Sequence, residues 1–266
     1  MTGARIGFIG LGNQGGPIAH RIVDAGMDLT VWARRPEALE AFAAKGATVT
    51  STVEELGATC DHVGICVVSD ADVVDVCDHL IPAMRPGSRI AIHATILPET
   101  CIMLAERCAA VGIDLIDAPV SGGALRAEQG TLTVMCGGNE TTFHAACTVF
   151  KTFAKDIILL GAVGSGQRAK IINNSLLAAN IGLAHAALEI GETMALDRAA
   201  LARTIKSSSG YSFGLDVSAA CPTPRDFKGA ALLVKDVGLL RVALPGHAGV
   251  EALCTAAEPY LEQAMT

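Results

Sequence analysis

The sequence predicts a doubly wound α/β domain with a mostly parallel sheet, followed by an all-α helical domain, the two linked by a long helix. Three observations predict it. Short apolar runs alternate with helix-like stretches up to about residue 160. A glycine-rich turn at 161–166 then opens one long helical stretch reaching about Leu196. From there to Thr266 nothing reads as a strand. The expected domains are residues 1–161 and residues 162–266.

The runs at 5–10, 29–33, 62–68, 89–93 and 115–120 read as strands, with further ones at 131–136 and 157–160. Continuous apolar runs suit strands covered by helices on both faces of a parallel sheet. Between them, 14–25 is amphipathic, 36–44 carries Pro near its first turn, and 70–80 and 99–111 are helical. In the second half, 199–206, 229–244 and 248–264 read as helices, the last expected to kink at Pro259. Ser207, Ser208, Ser209 and Gly210 make a helix break too short to be a linker.

Composition narrows the function classes. Of 266 residues, 51% are hydrophobic and 18% charged, which excludes an intrinsically disordered chain. Aromatics are 4%, so the core is expected to be aliphatic and alanine-rich. Twenty Lys and Arg against 27 Asp and Glu leave a net charge of −7, so neither nucleic acid nor an anionic membrane is expected as a partner. No secretory signal and no uninterrupted membrane-length apolar run is read; the most apolar stretch, 176–190, carries Asn180, His185 and Glu189. The nine cysteines contain no CxxC and no zinc-like spacing with histidine, so no metal is expected. They read as reduced, buried thiols acting as small hydrophobes, which suits a cytoplasmic location.

Gly10, Leu11, Gly12, Asn13, Gln14 and Gly15 form GxGxxG between a strand and a helix. The first glycine makes the turn, the second admits a pyrophosphate, and the third lets the helix approach the sheet. The phosphates would sit on the helix N-terminus, with its unpaired N–H groups. This is the Rossmann context. The second strand ends at Arg34 and Arg35, where an NAD site has an acid for the ribose 2′-OH. Guanidinium groups match a 2′-phosphate instead, so NADP is the expected cofactor, with NAD left possible by Glu37 nearby.

Three further groups stand out. Ser121, Gly122 and Gly123 follow a strand and offer a hydroxyl and successive N–H groups, a nest suited to a carboxylate. Gly166, Lys170 and Asn174 are spaced by four at the start of the long helix, so they share one face. Lys235 and Asp236 form a charged pair inside an otherwise apolar helix, which alone reads equally as an exposed ion-pair stripe.

Taken in order, four motifs resemble the β-hydroxyacid dehydrogenase family, which includes 3-hydroxyisobutyrate dehydrogenases and tartronate or succinic semialdehyde reductases. They are the Gly10–Gly15 motif; Asp117 to Gly123 continuing to Gly130 and Thr133; Gly164, Gly166, Lys170, Asn173 and Asn174; and Phe227 ahead of Lys235 and Asp236. The resemblance implies a nicotinamide-dependent oxidoreductase of small β-hydroxy acids or the matching semialdehydes. It implies Lys170 as catalytic acid/base, with Ser121, Gly122, Gly123, Asn174 and Phe213 meeting a small carboxylate substrate. Thr95, Val68, Phe227 and Lys235 would join the glycine loop and the arginines around the cofactor. A lysine takes the hydroxyl proton as hydride leaves if its pKa falls toward neutral. Burial, a helix N-terminus and Arg168 would act in that direction. A homodimer or homotetramer through the helical domain is also expected.

The chain departs from the family at Ala94-Thr95, where Ser-Thr is frequent; at Val68-Ser69, where Leu-Pro is usual; and at Phe213, which stands at a tryptophan position. The helical half is shorter than is usual there. The Lys-His-Asn-Gly signature of 6-phosphogluconate dehydrogenases is absent, so oxidative decarboxylation is not expected. An imine reductase on the same scaffold would typically lack the lysine, and a catalytically silent cofactor-binding module would not need Lys170, Asn174 and Ser121 together.

Overall fold

The computed structural model describes residues 4–266. The chain forms two compact units, one ending at Lys170 and the other spanning Ile171–Thr266. The first unit runs β1 (Ile6–Ile9), α1 (Gly15–Asp24), β2 (Leu29–Trp32), a short 3-10 turn (Pro36–Ala38), α2 (Glu40–Ala43), β3 (Thr48–Val49), α3 (Val53–Thr59) and β4 (His62–Ile65). It continues through α4 (Asp70–Ala83), β5 (Arg89–Ile92), α5 (Pro98–Ala109), β6 (Asp114–Asp117), β7 (Val120–Ser121), α6 (Gly123–Glu128), β8 (Leu132–Cys136), α7 (Glu140–Phe150) and β9 (Ala154–Leu159). Helix α8 (Ser165–Thr193) begins in the first unit; α9 (Arg198–Lys206), α10 (Phe213–Ala220), α11 (Ala230–Ala243) and α12 (Ala248–Met265) follow it.

Six strands form one parallel sheet in the order β3-β2-β1-β4-β5-β6. Ile6 pairs with Leu29 on one side and His62 on the other. The direction of winding therefore reverses between β1 and β4, and a crevice opens there at the carboxyl ends of the strands. Alternation along β1 sends Ile6 and Phe8 to one core with Ile18, Ile22 and Phe150. Ile9 goes to the other, with Leu56, Leu80 and Leu104. Two apolar faces explain the continuous hydrophobic runs.

Two histidines lie inside the first core. His93 Nδ1 donates to the Ala118 carbonyl at 2.8 Å, and its ring contacts Phe8, Phe150 and Phe153. Burial pushes His93 down to about 4 and His62 to about 3, so both are neutral.

The strand expected at 115–120 is divided. Asp114–Asp117 ends the large sheet, and Val120–Ser121 enters a small sheet ordered β7-β8-β9. Pro119 lies at the break, where its missing N–H could not have continued a ladder. The segment expected as one helix at 36–44 is a 3-10 turn and a separate four-residue helix. Helices α3, α6, α7 and α10 and strand β3 were not read from the sequence. α3 has a legible signal: Glu55 N–H donates to Thr52 Oγ1 at 3.1 Å, and Ser51 N–H donates to Glu55 at 2.9 Å.

In the second unit, Ile171, Ala178 and Ile181 pack with Leu233, Val237, Leu240, Cys254, Tyr260 and Leu261. α12 runs through Pro259 as one helix, its next two residues anchored in that core. By length and composition α8 could cross a membrane, yet half of its most apolar window is buried inside the protein. All nine cysteines are free, and no cluster able to hold a metal occurs among the described residues.

Candidate cofactor and substrate site

The glycine loop fills the turn between β1 and α1, beside the reversal of the sheet. Gly10 has φ of +95°, and a Cβ there would overlap the Cys66 carbonyl. A Cβ on Gly15 would overlap the Gly10 carbonyl, so both positions exclude a side chain. Gly12 is the opposite case: its Cβ would project into open space. No acidic residue occupies the first turn of α1, so nothing there offsets its positive end. Leu11 and Gln14 are half-buried, Asn13 is exposed, and Gln14 Nε2 is enclosed without a protein partner. An open cradle, an uncapped helix N-terminus and an orphaned donor fit a dinucleotide pyrophosphate.

Arg34 and Arg35 leave β2 exposed. Arg34 Nη2 pairs with Asp72 Oδ1 at 2.6 Å and lies 3.8 Å from Asp75 Oδ2. Asp72 also accepts from Ser69 N–H at 3.1 Å and Ser69 Oγ at 2.7 Å, closing a capping box on α4. The Ser69 hydroxyl, then Arg34, hold the Asp72 carboxyl below its usual range. Val68, just before this box, is exposed.

Around the start of α8 the chain builds a clamp that the sequence did not disclose. Asp117, fully buried at the end of β6, accepts from Gly164 N–H at 2.7 Å through Oδ1 and from Gln167 N–H at 2.8 Å through Oδ2. Burial raises its carboxyl to about 6, while those donors oppose the rise. Gly166 must lack a side chain: a Cβ would overlap the Met135 carbonyl and lie 2.8 Å from Asp117 Oδ2. The Gln167 side chain accepts from Ile96 N–H at 3.1 Å and donates to the Ala94 carbonyl at 2.8 Å. Thr95, half-buried, sits between those two residues.

Gly166, Lys170 and Asn174 are all buried, as one face of α8 at a spacing of four requires. Ser121 pairs with Thr133, and Gly122 and Gly123 follow with φ of +132° and +70° at the start of α6. These glycines are exposed, so their turn is accessible.

In the second unit, Asn174 Nδ2 donates to Asp236 Oδ2 at 2.6 Å, and Asn173 Nδ2 donates to Asn174 Oδ1 at 3.0 Å. Lys235 Nζ lies 3.2 Å from Asp236 Oδ1. Asp236 is buried, so this pair is not an exposed stripe; it orients the Asn174 amide. Phe227 packs its ring against Tyr260 at 6.3 Å, whereas Phe213 is exposed at the first turn of α10. The Arg34–Asp72 pair and the roles of Asp117 and Gln167 were missed because those partners are distant in sequence.

Two family profiles match the chain. One, for the NAD binding domain of 6-phosphogluconate dehydrogenase, covers residues 5–161. The other, for the NAD-binding of NADP-dependent 3-hydroxyisobutyrate dehydrogenase, covers residues 164–265. The mitochondrial 3-hydroxyisobutyrate dehydrogenase of Drosophila melanogaster is 36% identical over 245 residues, 88% of this chain and 76% of that protein. Among solved structures, Mycobacterium tuberculosis 3-hydroxyisobutyrate dehydrogenase with L-serine has a TM-score of 0.88 at 30% identity, covering 98% of this chain and 94% of that one. Psf3 in complex with NADP+ and 2-OPP has a TM-score of 0.86 at 25% identity, covering 96% and 92%.

Proposed function

The chain belongs to the β-hydroxyacid dehydrogenase family of NAD(P)-dependent oxidoreductases, and from that premise we propose that it interconverts small β-hydroxy acids and their semialdehydes, prefers NADP, and uses Lys170 as general acid/base. The observation that carries this reading is the placement of Lys170. It is a buried lysine, one helical turn beyond a start fixed by Gly166, Gln167 and Asp117. Buried lysines are rare in the absence of a partner or a task.

Bound nicotinamide accepts or donates the hydride at its C4. The chain's own residues do the rest. In oxidation the Lys170 amine takes the proton of the substrate hydroxyl; in reduction its ammonium returns a proton to the carbonyl oxygen. The Ser121 hydroxyl and the N–H groups of Gly122 and Gly123 hold the carboxylate. Asn174, oriented by Asp236, contacts the substrate near the reacting oxygen. Arg34 and Arg35 take the 2′-phosphate, for which Arg34 must exchange Asp72. The solved relative carrying L-serine, itself a β-hydroxy acid, supports the substrate class. Self-association belongs to the same reading: Leu176, Leu183 and Ile190 recur every seven residues along α8 and are exposed.

The test is hydride transfer with NADP(H) over a panel of β-hydroxy acids and semialdehydes, beginning with 3-hydroxyisobutyrate and L-serine. Lys170→Ala should lower kcat by about 10²–10⁴-fold while leaving cofactor binding intact. Wild-type turnover in that variant removes Lys170 from the role. Cofactor binding without turnover on any member favours a binding module instead.

A further inference from the structure

We propose that Gln167 is a positioning residue for the transfer step: its side-chain amide fixes the Thr95 loop against the turn of α8 that carries Lys170. The proposal rests on the reading of Lys170 as acid/base. Gln167 is fully buried. Its amide oxygen accepts from Ile96 N–H at 3.1 Å, and its amide nitrogen donates to the Ala94 carbonyl at 2.8 Å. It thus brackets Thr95 as a neighbouring strand would. Its own N–H donates to Asp117 Oδ2 at 2.8 Å, so the residue that grips the loop is itself held. The far side of the loop is tied separately: Asp70 Oδ1 accepts from Leu97 N–H at 2.9 Å and from Thr100 Oγ1 at 2.7 Å.

The chemistry demands this residue type. One planar group must accept on one side and donate on the other, at the reach of three side-chain bonds. An ionised glutamate accepts only, asparagine is one methylene short, and methionine does neither. Losing the bracket frees two buried backbone groups and lets the loop drift from Lys170. Misplacement of reacting groups by about 1 Å costs on the order of 10²-fold in rate.

The test compares Gln167→Met and Gln167→Glu with the parent chain, with Lys170→Ala run beside them. The first readout needs no cofactor: hydrogen exchange of segment 94–97. Both variants should exchange faster there at neutral pH, and unchanged protection would overturn the proposal. The second is kinetics with NADP and 3-hydroxyisobutyrate, or the best substrate of the panel. Expected are a fall in kcat of about 10–100-fold, a dissociation constant for NADP within about threefold of the parent, and a larger primary deuterium isotope effect. The third uses pH. A protonated glutamic acid at 167 again donates to Ala94 and accepts from Ile96, so its deficit should shrink on acidification. Asp117, raised to about 6, adjoins it, and burial pushes the neighbouring Cys101 thiol well above its usual range. Each pH point is therefore read as a ratio to the parent, in which Asp117 also titrates. Parent-like kcat in both variants, or losses that follow melting temperature with no pH recovery in Gln167→Glu, would show Gln167 to be structural only. Full activity in Lys170→Ala would instead strike the underlying reading, whatever the Gln167 variants do.

Discussion

Helices α1 and α8 both begin at glycine turns, yet they treat their N-termini in opposite ways. At α1 the first turn carries no acid, and the place where Gly12 lacks a Cβ is open. At α8 the corresponding volume is filled by the protein: Gly166 lies against the Met135 carbonyl, and the Asp117 carboxylate accepts from Gly164 and Gln167 N–H groups. One leaves its positive end open beside the glycine loop; the other turns its end onto a carboxylate of the protein itself. The difference teaches that a glycine motif before a helix announces close approach, while the thing that approaches is decided elsewhere in the fold. The positive helix end is the same in both.

Substitutions separate the two cases. Gly166→Ala should have the largest effect, about 3 kcal/mol or more of lost stability, because its Cβ meets backbone that cannot yield. A melting temperature near the parent's would mean that α8 can shift off β8. Asp117→Asn should come next, at about 1–3 kcal/mol in denaturant unfolding, since an amide must point an NH₂ at one of two backbone donors. Its pH dependence follows from linkage. Asp117 rises from an ordinary 3.8 to about 6 in the folded chain, so between those values the folded state holds a proton that the unfolded state does not. Acidification through that window stabilises the parent through this group, and asparagine cannot follow. The deficit of Asp117→Asn should therefore widen as pH falls from 6 towards 4, and a constant deficit would contradict burial as the cause.

Gly12→Ala should leave stability almost unchanged and weaken NADP binding by about 10–100-fold, read by calorimetry, since the new methyl enters the phosphate cradle. Loss of stability without loss of binding would reverse the contrast between the two turns. The smallest effect belongs to Asp72→Asn. Freed of its charged partner, Arg34 should bind the 2′-phosphate more readily, tightening NADP up to about fivefold with NAD unmoved, as expected for an exposed pair. The asparagine oxygen still caps Ser69 N–H, so α4 should persist. Equal changes for both cofactors would mean that Arg34 does not face the 2′-phosphate.

Much of this was legible in the sequence, and the pattern of misses is physical. The phosphate loop was readable because its glycines, strand and helix are contiguous. The large sheet was readable because two covered faces leave unbroken apolar runs. Strand β3 escaped because both its residues are exposed, and β7 because Pro119 was absorbed into one apparent run. The roles of Asp117 and Gln167 were hidden because their partners lie 47 to 73 residues away. Asp236 is left open by the sequence for the same reason: beside Lys235 it reads equally as a surface charge, and only Asn174, 62 residues earlier, gives it a buried purpose. Local pattern reveals what the backbone does next; it does not reveal which distant carboxylate will finish a helix.

The thiols carry a consequence of their own. Cys66 forms the floor of the phosphate loop, its carbonyl against Gly10 and its Cβ close to where Gly15 lacks one. Burial pushes that thiol up to about 12, and Cys77 and Cys108 likewise. Thiolate, the form that electrophiles and peroxide attack, is therefore almost absent from them at neutral pH. A cysteine next to the cofactor loop would ordinarily expose an oxidoreductase to poisoning by the oxidants around it. Here the raised pKa blunts that risk at Cys66 although its side chain is only partly buried, and at neutral pH alkylating reagents should modify it far more slowly than a free cysteine.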